Sequence, residues 1–294
     1  MYGTKTLLVV AAIGGFGLLL VAAALAGQFP WVRLVALLAG LTLMWSSLAC
    51  GPMIYKRMAG SQVKYPRWLP PGFRPVPSRL SEARLYASTV FGQKWRAATQ
   101  VAGWLHQDQA AMLCHLAKLA PEGPIVEIGS FRGKSTVFLA SGMKDSNRVF
   151  AIDPHILSTD GRPNLQHAAG NGWNSNANGV NTWEAFNKTL RDWGIADRVK
   201  PIKDFSYAVR PQWNEPIAML WIDGDHAYGS IKRDIEDWVD MVKPGGFLAF
   251  HDTAPDHAGK GDVRRAIMET GVLTRRGFSS FVELRNAWFL QRKA

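Results

Sequence analysis

Cysteine is scarce in this chain of 294 residues, where Cys50 and Cys114 are the only two. That excludes a disulfide framework and fits a main domain facing a reducing compartment. Acidic residues are scarce where the chain is most basic. Residues 56–96 carry nine Lys or Arg (Lys56, Arg57, Lys64, Arg67, Arg74, Arg79, Arg84, Lys94, Arg96) against the single acid Glu82. Charge of either sign is missing from residues 6–32 and 34–55. The formal net charge of +11 is therefore local: Lys5, Arg33 and 56–96 supply nearly all of it, while 97–294 holds 23 basic and 22 acidic residues. A nucleic-acid partner, which a uniformly basic domain would suggest, is not expected. With 47% apolar and 19% charged residues, most of the chain is not disordered.

Each charge-free run is long enough to cross a bilayer, since roughly 20 helical residues span the hydrocarbon core. A secretory signal is the rival reading of the first run, because Lys5 precedes it and small residues occupy 22–27. A signal core is about 7–15 residues, whereas Thr6 to Gly27 is longer and a second apolar run follows at once. The expected organisation is a two-helix transmembrane anchor over 1–55, with Pro30 and Trp31 at its turn. A basic, proline-rich juxtamembrane linker follows over 56–80 (Pro66, Pro70, Pro71, Pro75, Pro77), then the main domain over 81–294 with an N-terminal helical extension. Lys56, Arg57, Lys64 and Arg67 outweigh Arg33 across the second run. An integral membrane protein is expected, touching the membrane through the hairpin and the basic collar, with its main domain cytoplasmic.

From residue 125 short apolar runs alternate with helical stretches. Strands are expected at 125–129, 148–153, 198–203, 217–223 and 246–251, and helices at 133–142, 182–193, 206–210, 228–242 and 260–270. This alternation implies an α/β fold: a doubly wound, mostly parallel sheet covered on both faces by right-handed crossovers. Phe278–Leu284 and Ala287–Gln291, flanking Arg285-Asn286, read as a terminal hairpin. The polar stretch 156–180 is long for a loop in a compact domain, so a lid, a binding loop or a partly disordered segment is expected there. There is no internal repeat.

Open α/β sheets bind ligands at the carboxyl ends of their strands. The first strand exits as Glu127-Ile128-Gly129-Ser130-Phe131-Arg132-Gly133-Lys134-Ser135. Two missing glycines argue against two common fingerprints. Ile128 stands where a phosphate-binding P-loop needs its first glycine, and Phe131 fills the second glycine position of a dinucleotide motif. What remains is the acidic-x-Gly-x-x-x-Gly form used by S-adenosylmethionine sites. Asp153 ends the second strand, where a carboxylate can accept both ribose hydroxyls. The fourth strand delivers Asp223-Gly224-Asp225-His226, and the fifth delivers His251-Asp252-Thr253. Carboxylate oxygens suit a hard divalent cation, and a neighbouring histidine can take a proton.

These residues resemble class I S-adenosylmethionine-dependent methyltransferases, within them the macrocin O-methyltransferase and cephalosporin-hydroxylase-like group. The resemblance covers roughly 120–255. It rests on Trp221 to Tyr228 together with Val242-Lys243-Pro244-Gly245-Gly246 and His251-Asp252-Thr253. It implies a Rossmann-like methyltransferase fold, S-adenosylmethionine as cofactor, and Mg²⁺ or Mn²⁺ on Asp223 and Asp252, with His251 a further candidate ligand. It assigns His226 as general base. Glu127, Gly129, Ser130, Gly133 and Asp153 would hold the cofactor, with Asp204, Phe205 and Ser206 near its adenine. The expected function is membrane-anchored, cation-assisted O-methylation of a sugar, glycolipid or similar small or lipid-linked acceptor. A catalytically inactive scaffold and a metal-dependent hydroxylase on the same sheet are the rival readings. Oligomeric state cannot be read from these residues.

Overall fold

A computed structural model of the chain describes residues 69–157, 180–254 and 262–294. Three helices lead in: α1 (Leu80–Phe91), α2 (Trp95–Gln100) and α3 (Gln107–Leu119). The sheet then begins with β1 (Pro124–Ile128), followed by α4 (Lys134–Gly142), β2 (Arg148–Ile152), β3 (Ile156–Leu157), β4 (Val180–Asn181), α5 (Trp183–Asp192), β5 (Val199–Ile202) and α6 (Ser206–Val209). It continues with β6 (Ile217–Ile222), α7 (Tyr228–Trp238), β7 (Val242–Phe250), α8 (Asp262–Glu269), β8 (Phe278–Leu284) and β9 (Ala287–Arg292).

Seven strands form one sheet in the order β5-β2-β1-β6-β7-β9-β8. The first five are parallel, and β9 and β8 close the far edge antiparallel. Both faces of β1 and β6 are covered, which is why Pro-Ile-Val-Glu-Ile and Ile-Ala-Met-Leu-Trp-Ile run buried along their whole length instead of alternating with polar residues. Alternate residues feed two cores. Ile125, Met219, Trp221 and Ala249 pack with Met112 and Phe138 on the α3/α4 side. Val126, Leu220, Ile222 and Phe250 pack with Ile231, Trp238 and Trp288 on the other.

The expected α/β sheet is thus present, with several boundaries moved. Helix α7 stops at Trp238 and a 3-10 turn covers Val239–Met241. Strand β7 starts earlier than expected, at Val242, taking in the Lys243-Pro244-Gly245-Gly246 stretch. The ends of the long polar stretch pair as an antiparallel β3–β4 ladder, while 158–179 lies outside the described residues. The proline-rich stretch from residue 69 lies against the domain. Arg74 N–H donates to Ser279 O at 2.8 Å, Phe281 N–H donates to Arg74 O at 2.8 Å, and Val76 is buried.

The expectation of an integral membrane protein is corrected. Among the described residues no helix is long and apolar enough to cross a membrane. The runs 6–32 and 34–55 that motivated a transmembrane hairpin, and the basic collar from residue 56 to 68, lie outside the described residues.

Helices α3 and α4 meet at backbone contact. A Cβ on Gly142 would stand 2.2 Å from the Cys114 carbonyl oxygen, so any side chain there must push two helices apart. Gly142→Ala is expected to cost about 1–3 kcal/mol, read as a lower urea midpoint. Gly229→Ala on exposed α7, where a Cβ meets nothing within 4 Å, should instead raise the midpoint, by about 0.5–1 kcal/mol.

Candidate active site

The strand order reverses between β1 and β6, and the crevice at that switch point is where an open α/β sheet takes a ligand. Four residues leaving the strands are tied by backbone to the neighbouring strand. Gly129 N–H donates to Ile152 O (2.9 Å), Asp153 N–H to Ile202 O (3.1 Å), Asp223 N–H to Ile128 O (2.8 Å) and His251 N–H to Ile222 O (3.1 Å). The side chains expected to do chemistry therefore stand on a rigid edge.

The glycine loop follows β1. Gly129 has φ +90, and a Cβ there would lie 2.2 Å from the Asp223 carbonyl oxygen, so glycine is required by conformation and by space. Gly133 (φ +88) caps α4. Phe131, also left-handed at φ 48, turns its N–H toward Asp153 Oδ2 at 2.7 Å, and His155 N–H reaches Asp153 Oδ1 at 2.5 Å. Asp153 thus holds the loop. Glu127 is fully buried, and its oxygens accept from Ser135 Oγ and Thr136 Oγ1, both at 2.5 Å. Burial pushes its carboxyl up to about 8, against the pull of those two hydroxyls and with help from the charges of Asp223 and Asp153. Ser130 is buried, and its Oγ has no hydrogen-bond partner among the described residues. Beyond β5, Asp204 accepts from Phe205 N–H at 2.8 Å, the Phe205 ring stacks on Tyr207, and Ser206 Oγ donates to the buried Asp234 of α7. Ser206 is thus engaged with a partner that sequence reasoning missed; burial raises the Asp234 carboxyl to about 7.

At the ends of β6 and β7 two acids and two histidines converge. His226 Nε2 lies 3.0 Å from Asp252 Oδ2 and 3.7 Å from Asp223 Oδ1. His251 Nδ1 lies 3.1 Å from Asp223 Oδ1 and 3.3 Å from Asp252 Oδ2. Burial alone would lower both imidazoles, but the two carboxylates raise them, His251 to about 10. Asp225 is not part of the cluster: its oxygens accept from Ala227 N–H (3.0 Å) and Ser230 Oγ (2.5 Å), which starts α7.

The donor set fits a divalent cation. Ligand atoms of Asp223, His226 and Asp252 all lie within 4.8 Å of one another, and the two carboxylates are the pair that would hold the ion beside His226. His226 Nε2 is buried and makes no aligned hydrogen bond despite its nearby carboxylates, and Thr253 Oγ1 is buried without a partner among the described residues. The cofactor cradle fits as well, with a glycine-lined approach and the orphaned Ser130 hydroxyl.

Two side chains at the cluster escaped sequence reasoning. Gln109 of α3 and Asn286 of the β8–β9 turn both reach the cluster. Gln109 is buried within a helix and Asn286 reads as an ordinary turn residue, so neither carries a sequence signal.

Such a sheet, with a glycine loop at its switch point and acids at the next two strand ends, is the class I methyltransferase arrangement. Residues 126–253 match the family model described as "Methyltransferase domain". That match runs from β1 to just past the end of β7, the part of the chain that carries the glycine loop and the acid cluster. Among solved structures, the O-methyltransferase NovP is similar at a TM-score of 0.51 with 14% identity, over 72% of this chain and 98% of that one. The O-methyltransferase TomG from Streptomyces achromogenes, in complex with S-adenosylmethionine, matches at 0.48 with 17% identity, over 82% and 96%. An O-methyltransferase from Bacillus cereus matches at 0.47 with 17% identity, over 74% and 93%.

Glu127 supplies a pH test. The folded chain holds its proton more tightly than the unfolded chain, where the group titrates near 4.5. Its contribution to stability is full below about pH 4.5 and is lost as pH rises toward about 8. Urea midpoints between pH 5 and 8 should fall more steeply in the native chain than in Glu127→Gln, which cannot ionise. Equal slopes would show that the buried carboxyl is not held neutral.

Proposed function

We propose that this chain transfers a methyl group from S-adenosylmethionine to a hydroxyl of a small acceptor, with a divalent cation at the acid cluster. The convergence of Asp223, His226 and Asp252 beside the glycine loop carries the reading. S-adenosylmethionine supplies an electrophilic methyl group on a sulfonium. Gly129, Ser130 and Gly133 would line its approach, and Asp153 stands where its ribose hydroxyls can be accepted.

His226 is the group suited to take the acceptor's proton, at Nε2. Protonated, it faces two carboxylates and cannot act as a base. Asp223 and Asp252 are the side chains that would hold Mg²⁺ or Mn²⁺, and a bound ion would offset the carboxylate charge that favours the protonated imidazole. Two carboxylates so close would otherwise repel; a bound cation would offset that repulsion and would lower the pKa of an acceptor hydroxyl. Adjacent acids presented this way suit an acceptor offering two vicinal hydroxyls, so a sugar or catechol-like diol is the favoured class.

The test is methyl transfer from labelled S-adenosylmethionine to a panel of diols, run beside calorimetry on the same protein. His226→Ala should lower turnover by about 10²–10⁴-fold while cofactor affinity survives. Chelation should abolish transfer, and Mg²⁺ or Mn²⁺ should restore it. Absence of S-adenosylmethionine binding overturns the reading; full activity in excess chelator removes the cation from it.

A further inference from the structure

Asp252 sits at φ 53, a left-handed conformation uncommon outside glycine, and its surroundings hold it there. The enforcing contacts come from outside residues 126–253. Asn286 Nδ2 donates to Asp252 Oδ1 at 2.6 Å, and Asn286 O accepts from Thr253 N–H at 2.9 Å. The Asn286 amide is oriented in turn by Gln109. Gln109 Nε2 donates to Asn286 Oδ1 at 2.7 Å and to Leu284 O at 3.2 Å, while its Oε1 accepts from His106 N–H at 2.9 Å and faces His251 Nε2 at 3.4 Å. With both ends engaged, Gln109 has one orientation, and so does the Asn286 amide beside it. Asp252 Oδ1 is therefore taken up, and Oδ2 is the oxygen turned toward His226.

We propose that Gln109 and Asn286 are positioning residues that aim the Asp252 carboxylate at His226. The inference deepens the reading of Asp223, His226 and Asp252 as the reacting cluster and rests on it. Among the described residues neither side chain hydrogen-bonds the glycine loop, so their effect is confined to the acid end of the site. The helical extension and the terminal hairpin thereby become parts of the active site, each through one amide.

The experiment uses the full chain labelled with ¹⁵N-histidine. Ring nitrogen signals of His226 and His251 are compared among the native protein, Asn286→Ala, Asn286→Ser and Gln109→Met, with melting temperature and S-adenosylmethionine affinity measured on each. The proposal expects the His226 signals to move in Asn286→Ala and also in Gln109→Met, which keeps the volume of Gln109 and never touches His226. Melting temperature should hold, and cofactor affinity should stay within about twofold. Asn286→Ser, a small polar change at a partly exposed turn, provides a folded protein if the alanine variant is unstable. Unmoved His226 signals in folded variants overturn the proposal, and so does an equal loss of cofactor affinity, which would mark general damage. Mn²⁺ binding followed by electron paramagnetic resonance should weaken about 10–100-fold in Asn286→Ala, as for other groups that orient a metal ligand. If the native chain binds no Mn²⁺, the cation reading fails, while the ring signals still decide the role of the brace.

Discussion

The contact on which the site depends is the backbone crossing between the end of β1 and the end of β6. Asp223 N–H bonds Ile128 O at 2.8 Å, and the space at Gly129 is so tight that a methyl group would overlap the Asp223 carbonyl. One strand end carries the loop that would hold the methyl donor, and the other carries the first acid of the reacting cluster. Because the two backbones touch, the distance between those halves is set by the sheet and not by flexible side chains. Precision of this kind is what bimolecular transfer requires, since misplacing reactants by an ångström can cost about a hundredfold in rate.

Around that crossing the edge of the sheet gathers carboxylates that would repel one another if left alone. Each is compensated in its own way. Glu127 is neutralised by burial beneath two hydroxyls, Asp153 is bonded by the N–H groups of Phe131 and His155, and Asp225 is bonded by Ala227 N–H and Ser230 Oγ. Asp223 and Asp252 are left facing imidazoles. The acids whose partners are backbone or hydroxyl groups build the edge, and the pair facing titratable rings can respond to a ligand. Electrostatics thus divides similar side chains into scaffold and site.

That division explains what could be read from the residues. Strand–helix alternation, the glycine loop and the acids after β6 and β7 were legible, because short buried runs and residues leaving parallel strands obey local rules. Asp153 was legible as a strand-end acid, but its grip on Phe131 N–H was not, since it depends on a left-handed backbone at a residue other than glycine. The capture of Ser206 by Asp234 joins residues 28 positions apart and has no local signature. Gln109 and Asn286 are 177 positions apart and meet only because β9 pairs with β7 at the far side of the sheet. The apolar runs before residue 56 are the opposite case: a strong local pattern whose expected membrane helices find no counterpart among the described residues.

The two histidines of the cluster look equivalent in the chain, each beside an acid, yet the fold separates their roles. His251 is 4% exposed, with Nδ1 against both carboxylates and Nε2 facing the fixed Gln109 oxygen. Both nitrogens see only acceptors, so its proton has nowhere to go, which agrees with its rise to about 10. His226 is 30% exposed in its side chain, and its Nε2 approaches the carboxylates without an aligned bond. A general base must reach the acceptor and release its proton afterward, and in the proposed reading that role falls to His226, the more exposed of the two rings. His251 instead lies buried behind the acids, which leaves the open side of the pair for the proposed acceptor and cation.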